Sequence, residues 1–160
     1  VVPWAQAGVG GIATQAWANL SYGPEGLRLL AAGHAADEAV KRLVGPDENR
    51  EHRQLGIVDT RGRAAAWTGK ECLHWAGQRS GDGFTCQGNI LAGPRVVEAM
   101  AGTFQRSTGP LPERLVVVLE AGQHEGGDSR GQQSAAPHSL DVHPACCRSD
   151  RQEIDRRRTE

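Results

Sequence analysis

A short run of small residues between glycines constrains the fold of this 160-residue chain more than any other feature. The run reads Gly8-Val-Gly-Gly-Ile-Ala-Thr-Gln15, which is typical of a buried strand. Because its side chains are small, another layer is expected to pack closely on it. Two helices are predicted next, the first with Pro24 at its first position and Gly33 just past its end, the second over residues 35–44. The start of the chain therefore predicts a sheet covered by paired helices.

The rest of the body continues this alternation of strands and helices. Strands are predicted over residues 53–59, 63–68 and 84–91, helices from Gly93-Pro94 and from Pro112, and a loop around Trp75 and Gly77. The helix from Pro112 is expected to turn Leu115, Val116 and Leu119 inward, while the run Val116-Val117-Val118 leaves a strand as the alternative. This order of elements places the chain in the α+β class.

Composition and charge argue against several classes of function. Hydrophobic residues make up 38% and charged residues 23%, as in folded domains, and the net charge of -1 gives no electrostatic case for nucleic acid or an anionic membrane surface. No apolar run approaches the roughly 20 residues that span a bilayer. The first residues, Val1-Val2-Pro3-Trp4, do not form a signal peptide, so a cytoplasmic location is expected unless an export signal lies upstream. The cysteine spacing is not that of a disulfide framework, which favours reduced thiols.

The segment Cys86-Gln-Gly-Asn89 lies in a predicted strand and offers candidate site residues. A catalytic cysteine needs a neighbouring base and a lowered pKa, so Cys86 is expected to be a small core residue instead. Gln87 and Asn89 share the opposite face of the strand because side chains alternate along it. Asn89 is therefore a candidate amide donor to a developing oxyanion, and Gln87 a candidate contact to substrate.

Two further pairs of residues have both a structural and a functional interpretation. Asn19 and Tyr22 lie in the loop after the first strand, where a turn requires neither of them, so they are candidate substrate-binding residues. Asp128 and Arg130 lie on a glycine turn and form either an ordinary surface ion pair or a pair that orients a charged group.

No cofactor or metal site is predicted. The chain has no dinucleotide-binding or phosphate-binding glycine motif and no zinc-protease motif. His138, His143, Cys146 and Cys147 in the tail are metal-ligand types, but adjacent cysteines rarely both bind one structural zinc.

Four stretches together resemble a known family. They are Val1 to Leu27, Arg53 to Gly69, Phe84 to Phe104, and the segment Gly-Gly-Asp-Ser-Arg-Gly-Gln-Gln-Ser-Ala-Ala that ends at Ala136. These stretches resemble the uncharacterised prokaryotic family catalogued as domain of unknown function 1028. The resemblance implies the fold of the N-terminal nucleophile (Ntn) hydrolases, a four-layer α/β/β/α sandwich, here without its first strands. Residues 1–136 are expected to form this incomplete domain, and residues 137–160 a divergent or frameshifted, disordered tail.

The resemblance also implies a chemistry. Ntn hydrolases attack an amide carbonyl with an N-terminal Thr, Ser or Cys whose own amine is the base. Val1 carries no nucleophile, so an inactive chain is expected even if the complete protein hydrolyses amide or peptide bonds. By similarity to the proteasome-like site, Asp128, Arg130 and Ser134 would line it in supporting roles.

A non-catalytic module that binds a ligand or partner, with a link to the cell wall implied by some relatives, is the alternative function. Admissible partners are a small amide or peptide-like ligand and a second copy of the chain, whose unpaired sheet edges would favour self-association. Neither nucleic acid nor a membrane is expected as a partner.

Overall fold

The computed structural model describes residues 2–132, which form two antiparallel sheets and four α-helices. The larger sheet has the strand order β1 (Val2–Gln6), β2 (Gly10–Ala16), β3 (Arg53–Asp59) and β4 (Ala64–Thr68). The smaller sheet pairs β5 (Trp75–Gly81) with β6 (Phe84–Leu91). The helices are α1 (Tyr22–Ala31), α2 (Ala36–Val44), α3 (Pro94–Arg106) and α4 (Leu111–His124), and a short 3-10 helix covers Arg50–His52.

The two sheets lie face to face, and each carries a pair of helices on its outer face. Helices α1 and α2 cover the larger sheet around a core that includes Ile12, Leu55 and Ile57. Helices α3 and α4 enclose a second, smaller core with the outer face of β6, which contributes Phe84 and Cys86. The layers therefore follow the order α/β/β/α, and the predicted α+β class is confirmed.

Helix α2 shows how closely local sequence determines an element. Its buried face consists of Ala36, Ala39, Val40, Leu43 and Val44. On the exposed side, Lys41 binds Asp37 at 3.1 Å and Arg42 binds Glu38 at 2.7 Å, each four residues after its acid. The helical periodicity of the sequence predicts this buried face, and the prediction is confirmed.

The strand predictions hold for β3 and β6 and fail for β5. Strands β3 and β6 have the predicted bounds, whereas the segment with Trp75 and Gly77 forms a strand and not a loop. Its glycines and polar residues give no alternating pattern, and the strand forms because it pairs with β6 over most of its length. Strand β1 was likewise not predicted, and it pairs with β2 from Val2 to Gln6.

Helix α4 is a helix as predicted, but its inward face differs from the expectation. Val118 and Gly122 are its buried residues, while Val116 and Leu119 stay 43% and 38% exposed. The apolar run from Leu115 to Leu119 covers every side of the helix, so periodicity cannot select one face. Gly122 determines which face of α4 packs against α3, because a Cβ at this position would lie 2.9 Å from the Met100 side chain.

The layer between the two sheets is polar rather than apolar. Amide and hydroxyl side chains from both sheets meet there, namely Gln15, Gln54, Thr68, Gln78, Gln87 and Asn89. The sheets approach closely at Gly56, where a Cβ would lie 2.3 Å from Oε1 of Gln87. The inner face of this sandwich therefore carries hydrogen-bonding groups that a purely structural core does not need.

Candidate functional site

A groove of about 960 Å³ opens at one end of the polar layer, where β2, β6 and α4 meet. We call it the interlayer groove. Three amide side chains contribute to its lining, those of Gln15, Gln87 and Asn89. Apolar side chains from α3 and α4 also line it, namely Val96, Met100, Val116 and Leu119. Charged residues also line it, namely Glu120, Asp128 and Arg130. The groove thus combines apolar side chains with amide side chains, which is the combination found in ligand sites.

Gln54 on β3 organises the amides beneath the groove and is completely buried. Its Oε1 accepts hydrogen bonds from Nε2 of Gln15 at 2.5 Å and from Nδ2 of Asn89 at 3.3 Å. Its Nε2 donates to the carbonyl oxygens of Gly77 and Gly88 at 3.2 and 2.8 Å, and to Thr68 Oγ1 at 3.0 Å. One side chain therefore links both sheets and fixes the orientation of two groove amides.

The structure brings the predicted residues Gln87 and Asn89 together in this groove, on the face of β6 that period-two alternation predicts. Gln87 Nε2 donates to the carbonyl of Ala13 at 3.3 Å, and its Oε1 accepts from Thr85 at 3.1 Å. Asn89 commits one of its two amide hydrogens to Gln54. Its second hydrogen has no acceptor among residues 2–132, so a donor role toward a ligand is geometrically open.

Asp128 and Arg130 form a bidentate ion pair at the groove. Nη2 and Nε of Arg130 lie 2.6 and 2.9 Å from the two carboxylate oxygens of Asp128, and the backbone N–H of Arg130 donates to the same carboxylate. These hydrogen bonds and the charge of Arg130, opposed by slight desolvation, lower the pKa of Asp128 to about 2. A backbone bridge between Asp128 and Leu91 holds the turn against the end of β6.

Backbone strain concentrates around the groove. Among residues 2–132, the non-glycine residues with positive φ are Ala16 at 64°, His74 at 53° and Ile90 at 58°. Ala16 lines the groove and Ile90 lies between two residues that line it, whereas His74 lines a separate pocket beside β4 and β5. Positive φ is a genuine outlier for a β-branched residue such as Ile90. Strain of this kind persists where the surrounding structure enforces it, commonly at functional sites.

Asn19 and Tyr22 do not line the groove. They lie in a separate buried cluster, which we call the Asp47 clasp: Asn19 Nδ2, Tyr22 Oη and Arg53 Nε donate to Oδ2 of Asp47 at 3.0, 2.7 and 3.1 Å. Burial and the Asp47 carboxylate raise the pKa of Tyr22 above its ordinary value. Burial alone would raise the pKa of Asp47, but the hydrogen bonds from Tyr22, Asn19, the Asn49 backbone and Arg53 hold it well below its usual range. The clasp ties the loop after β2 to the loop before β3, and the substrate-binding role of Asn19 and Tyr22 stays a prediction.

Cys86 points away from the groove into the core beneath α3 and α4, as the sequence predicts. Burial raises the pKa of its thiol to about 11. We expect Cys86 to resist iodoacetamide in the native chain at pH 8, because the reactive thiolate is scarce and inaccessible. Peptide mapping by mass spectrometry follows this residue separately, and the same protein in urea provides the control in which Cys86 reacts. Native-state labelling as fast as that of free glutathione would contradict the core assignment.

Several predicted features lie outside the described residues. Val1, Ser134 and the metal-ligand types of the tail belong to this group, and so does the proposed boundary at Ala136. Within residues 2–132, no three His, Cys, Asp or Glu side chains converge as metal ligands. Nor does that part of the chain hold a helix with the length and apolarity needed to cross a membrane.

Sequence reasoning missed Gln15 and Gln54, which hold the groove amides in place. They oppose each other directly in the pairing of β2 with β3. The signal was present, since each is a polar residue at an inward position of a buried strand, and a buried polar residue is more informative than a buried apolar one. What the sequence does not reveal is that the two strands pair in this register.

Comparison with known proteins places the chain among uncharacterised relatives. A model described as a family of unknown function (DUF1028) matches residues 1–154, a range that extends past the predicted boundary at Ala136. The crystal structure of protein SPO2555 from Silicibacter pomeroyi, described with the same family, is 30% identical with a TM-score of 0.74. That match covers 78% of this chain and 55% of the other, so the chain spans little more than half the length of that relative. No curated protein matches the chain. The resemblance read from the sequence is confirmed.

Proposed function

Because the chain belongs to the DUF1028 family of unknown function, we propose a role from its geometry: the interlayer groove binds a small amide or peptide-like ligand. The observation that carries this proposal is the presence in one lining of amide side chains and apolar side chains, of which Val116 and Leu119 are exposed. A peptide presents the matching groups, since its backbone carries N–H donors and C=O acceptors and its side chains cover the apolar wall.

The strained residues support the same groove. Keeping Ala16, His74 and Ile90 at positive φ costs of order 1–3 kcal/mol each, and a fold selected for stability alone would place glycine at such positions. Ala16 and Ile90 lie at the strand ends that form one end of the groove. This placement is consistent with a backbone held in shape for a ligand.

We expect N-acetyl-Ala-Ala-Ala-amide to bind in the groove with a Kd of order 1 mM, as an unoptimised fragment of this size does. The measurement is a titration of isotope-labelled 160-residue chain followed by NMR. Shifts should concentrate at the Val116 and Leu119 methyl groups and at the Asn89 side-chain amide. The Val9 and Leu27 methyl groups, which pack in the core under α1, serve as the internal control. No shifts at about 10 mM peptide, or shifts spread equally over both sets, would argue against the proposal.

Hydrolysis of an amide bond by the complete protein is the second candidate, and it is favoured by the α/β/β/α layering and by the open hydrogen of Asn89 Nδ2. The lining of the groove within residues 2–132 contains no Ser, Thr or Cys side chain. A nucleophile would therefore have to come from a residue outside that lining. Incubating N-acetyl-Ala-Ala-Ala-amide with a full-length member of the family tests this candidate, because cleavage of the peptide would produce new NMR signals over time.

A further inference from the structure

We propose that the amide-lined end of the interlayer groove recognises an N–H donor group with a positive charge, so that the preferred ligand is a peptide with a free N-terminal ammonium. This inference rests on the proposed function and specifies which end of a peptide the groove binds. Three observations carry it: the orientation of the groove amides, the burial of Gln15 and the charges along the groove.

One series of hydrogen bonds beneath the groove starts at Gln15 and runs in a single direction. Gln15 Nε2 donates to Gln54 Oε1 at 2.5 Å, and Gln54 Nε2 donates to Thr68 Oγ1 at 3.0 Å. Thr68 Oγ1 then donates to Gln78 Oε1 at 2.8 Å, and Gln78 Nε2 ends the series on the carbonyl of Ala66 at 2.9 Å. Because each donation polarises the next amide, the carbonyl oxygen of Gln15 at the start of this relay becomes a stronger acceptor.

Gln15 presents that oxygen to the groove. The residue is only 7% exposed, and no group within residues 2–132 donates to its Oε1. No side-chain nitrogen or oxygen in that range is both fully buried and without a partner, so Oε1 must be accessible to solvent. Since Gln15 lines the groove, the access is from there. An accessible acceptor on a buried, fixed side chain is a binding feature, because it needs a donor and cannot turn away.

Asn89 provides a second acceptor beside the first. Its Nδ2 donates to the same Gln54 oxygen, so both amides are oriented by one atom. Within residues 2–132 nothing donates to Asn89 Oδ1, and this residue also lines the groove. An ammonium group has three hydrogens, so it can donate to both of these amide oxygens in the same lining.

The charges along the groove suit a cation. Two carboxylates, those of Glu120 and Asp128, line it against the single guanidinium of Arg130, and Asp128 and Arg130 neutralise each other. With His124, the other titratable residue of the lining, counted as neutral, Glu120 is left as the net charge. A neutral ligand gains nothing from this carboxylate, whereas an ammonium does, because charged groups of one sign lining a cleft attract the opposite sign.

The test compares two peptides that differ only in this group: Ala-Ala-Ala-amide with a free ammonium, and its N-acetylated form. We expect the free amine to bind about tenfold more tightly in calorimetry or NMR titration, the increment of one charge-assisted hydrogen bond. Gln15→Leu should reduce this ratio to near one, because it removes the acceptor that distinguishes the ammonium from the acetylated group. Gln105→Leu, an exposed glutamine on α3 outside the groove, is the matched control and should keep the full ratio.

A thermal melt confirms that each variant is folded, and if Gln15→Leu does not fold, Asn89→Ala takes its place because its bond to Gln54 is longer. Equal binding of the two peptides to the unaltered chain would overturn the inference and leave the proposed function intact. A tenfold preference that survives Gln15→Leu, or Asn89→Ala where that variant replaces it, would also overturn the inference. If neither peptide binds, the proposed function itself fails, and the inference fails with it.

Discussion

Replacing Gln54 by leucine is expected to lower the free energy of unfolding by about 4 kcal/mol, more than any other single polar substitution in residues 2–132. The side chain is fully buried, and leucine has nearly its size, so little of the loss comes from a cavity. The loss comes from four groups that each lose a hydrogen bond to Gln54: the amides of Gln15 and Asn89 and the carbonyl oxygens of Gly77 and Gly88. Each such group costs about 1 kcal/mol here, the lower end of the range, because the layer is partly open at the groove.

Urea denaturation measures this effect, and the melting temperature should fall by roughly 12 °C. The control is again Gln105→Leu, which makes the same chemical change on an exposed helix surface and should stay within about 0.5 kcal/mol. A loss below about 1 kcal/mol for Gln54→Leu would mean that water replaces its hydrogen bonds. The polar layer would then be hydrated, and the orientation of the groove amides would not depend on Gln54.

The same variant links stability to ligand binding. Without Gln54 Oε1, the amide groups of Gln15 and Asn89 are no longer held with their oxygens toward the groove. Rotation about the terminal torsion of Gln or Asn is soft, so the two acceptors would disperse over several orientations. Gln54 is therefore a supporting residue: it contacts no ligand itself but fixes the orientation of the side chains that do.

The positions of the helices and strands could be predicted from the sequence wherever a local pattern determines them. The alternation in Arg53–Asp59 and Phe84–Leu91 specifies both strands, and the helical spacing specifies the buried face of α2. Strand β5 was not predicted because its residues carry no such pattern and form a strand only by pairing with β6. The buried face of α4 could not be predicted because the run from Leu115 to Leu119 is apolar on every side of the helix. The close fit of Gly122 against Met100 determines which face is buried.

The site divides in the same way. The alternation of side chains along a strand predicts that Gln87 and Asn89 share a face. The pairing of Asp128 with Arg130 is also local, because the two residues lie two positions apart on a glycine turn. The partner of Asn19 and Tyr22 could not be predicted, since Asp47 lies more than twenty residues away and no local rule joins them. Long-range register likewise brings Gln15 opposite Gln54. Local chemistry thus identifies candidate residues, and tertiary pairing determines which of them meet.

Asp47→Ala is the second substitution for which a large effect is expected, a loss of about 3 kcal/mol at neutral pH. The Asp47 side chain is 8% exposed and that of Arg53 15%, so its removal leaves a largely buried guanidinium without its carboxylate. Tyr22 and Asn19 lose their acceptor as well. Asp37→Ala is the matched control: Asp37 also pairs with a cation, Lys41, but both side chains are mostly exposed, and such pairs contribute less than about 0.5 kcal/mol.

The dependence on pH separates the charge of Asp47 from its packing. In the folded chain the pKa of Asp47 is held well below its ordinary value of 3.8, so folding favours the ionised form. The stabilisation is therefore complete above about pH 5 and decreases as the pH falls below the unfolded pKa. Unfolding free energies of the unaltered chain and of Asp47→Ala, measured in urea at about pH 7, 5 and 3, should differ equally at the first two and less at the third. A difference that is the same at all three would show that the clasp stabilises through packing alone, and that the carboxylate contributes no charge-dependent stability.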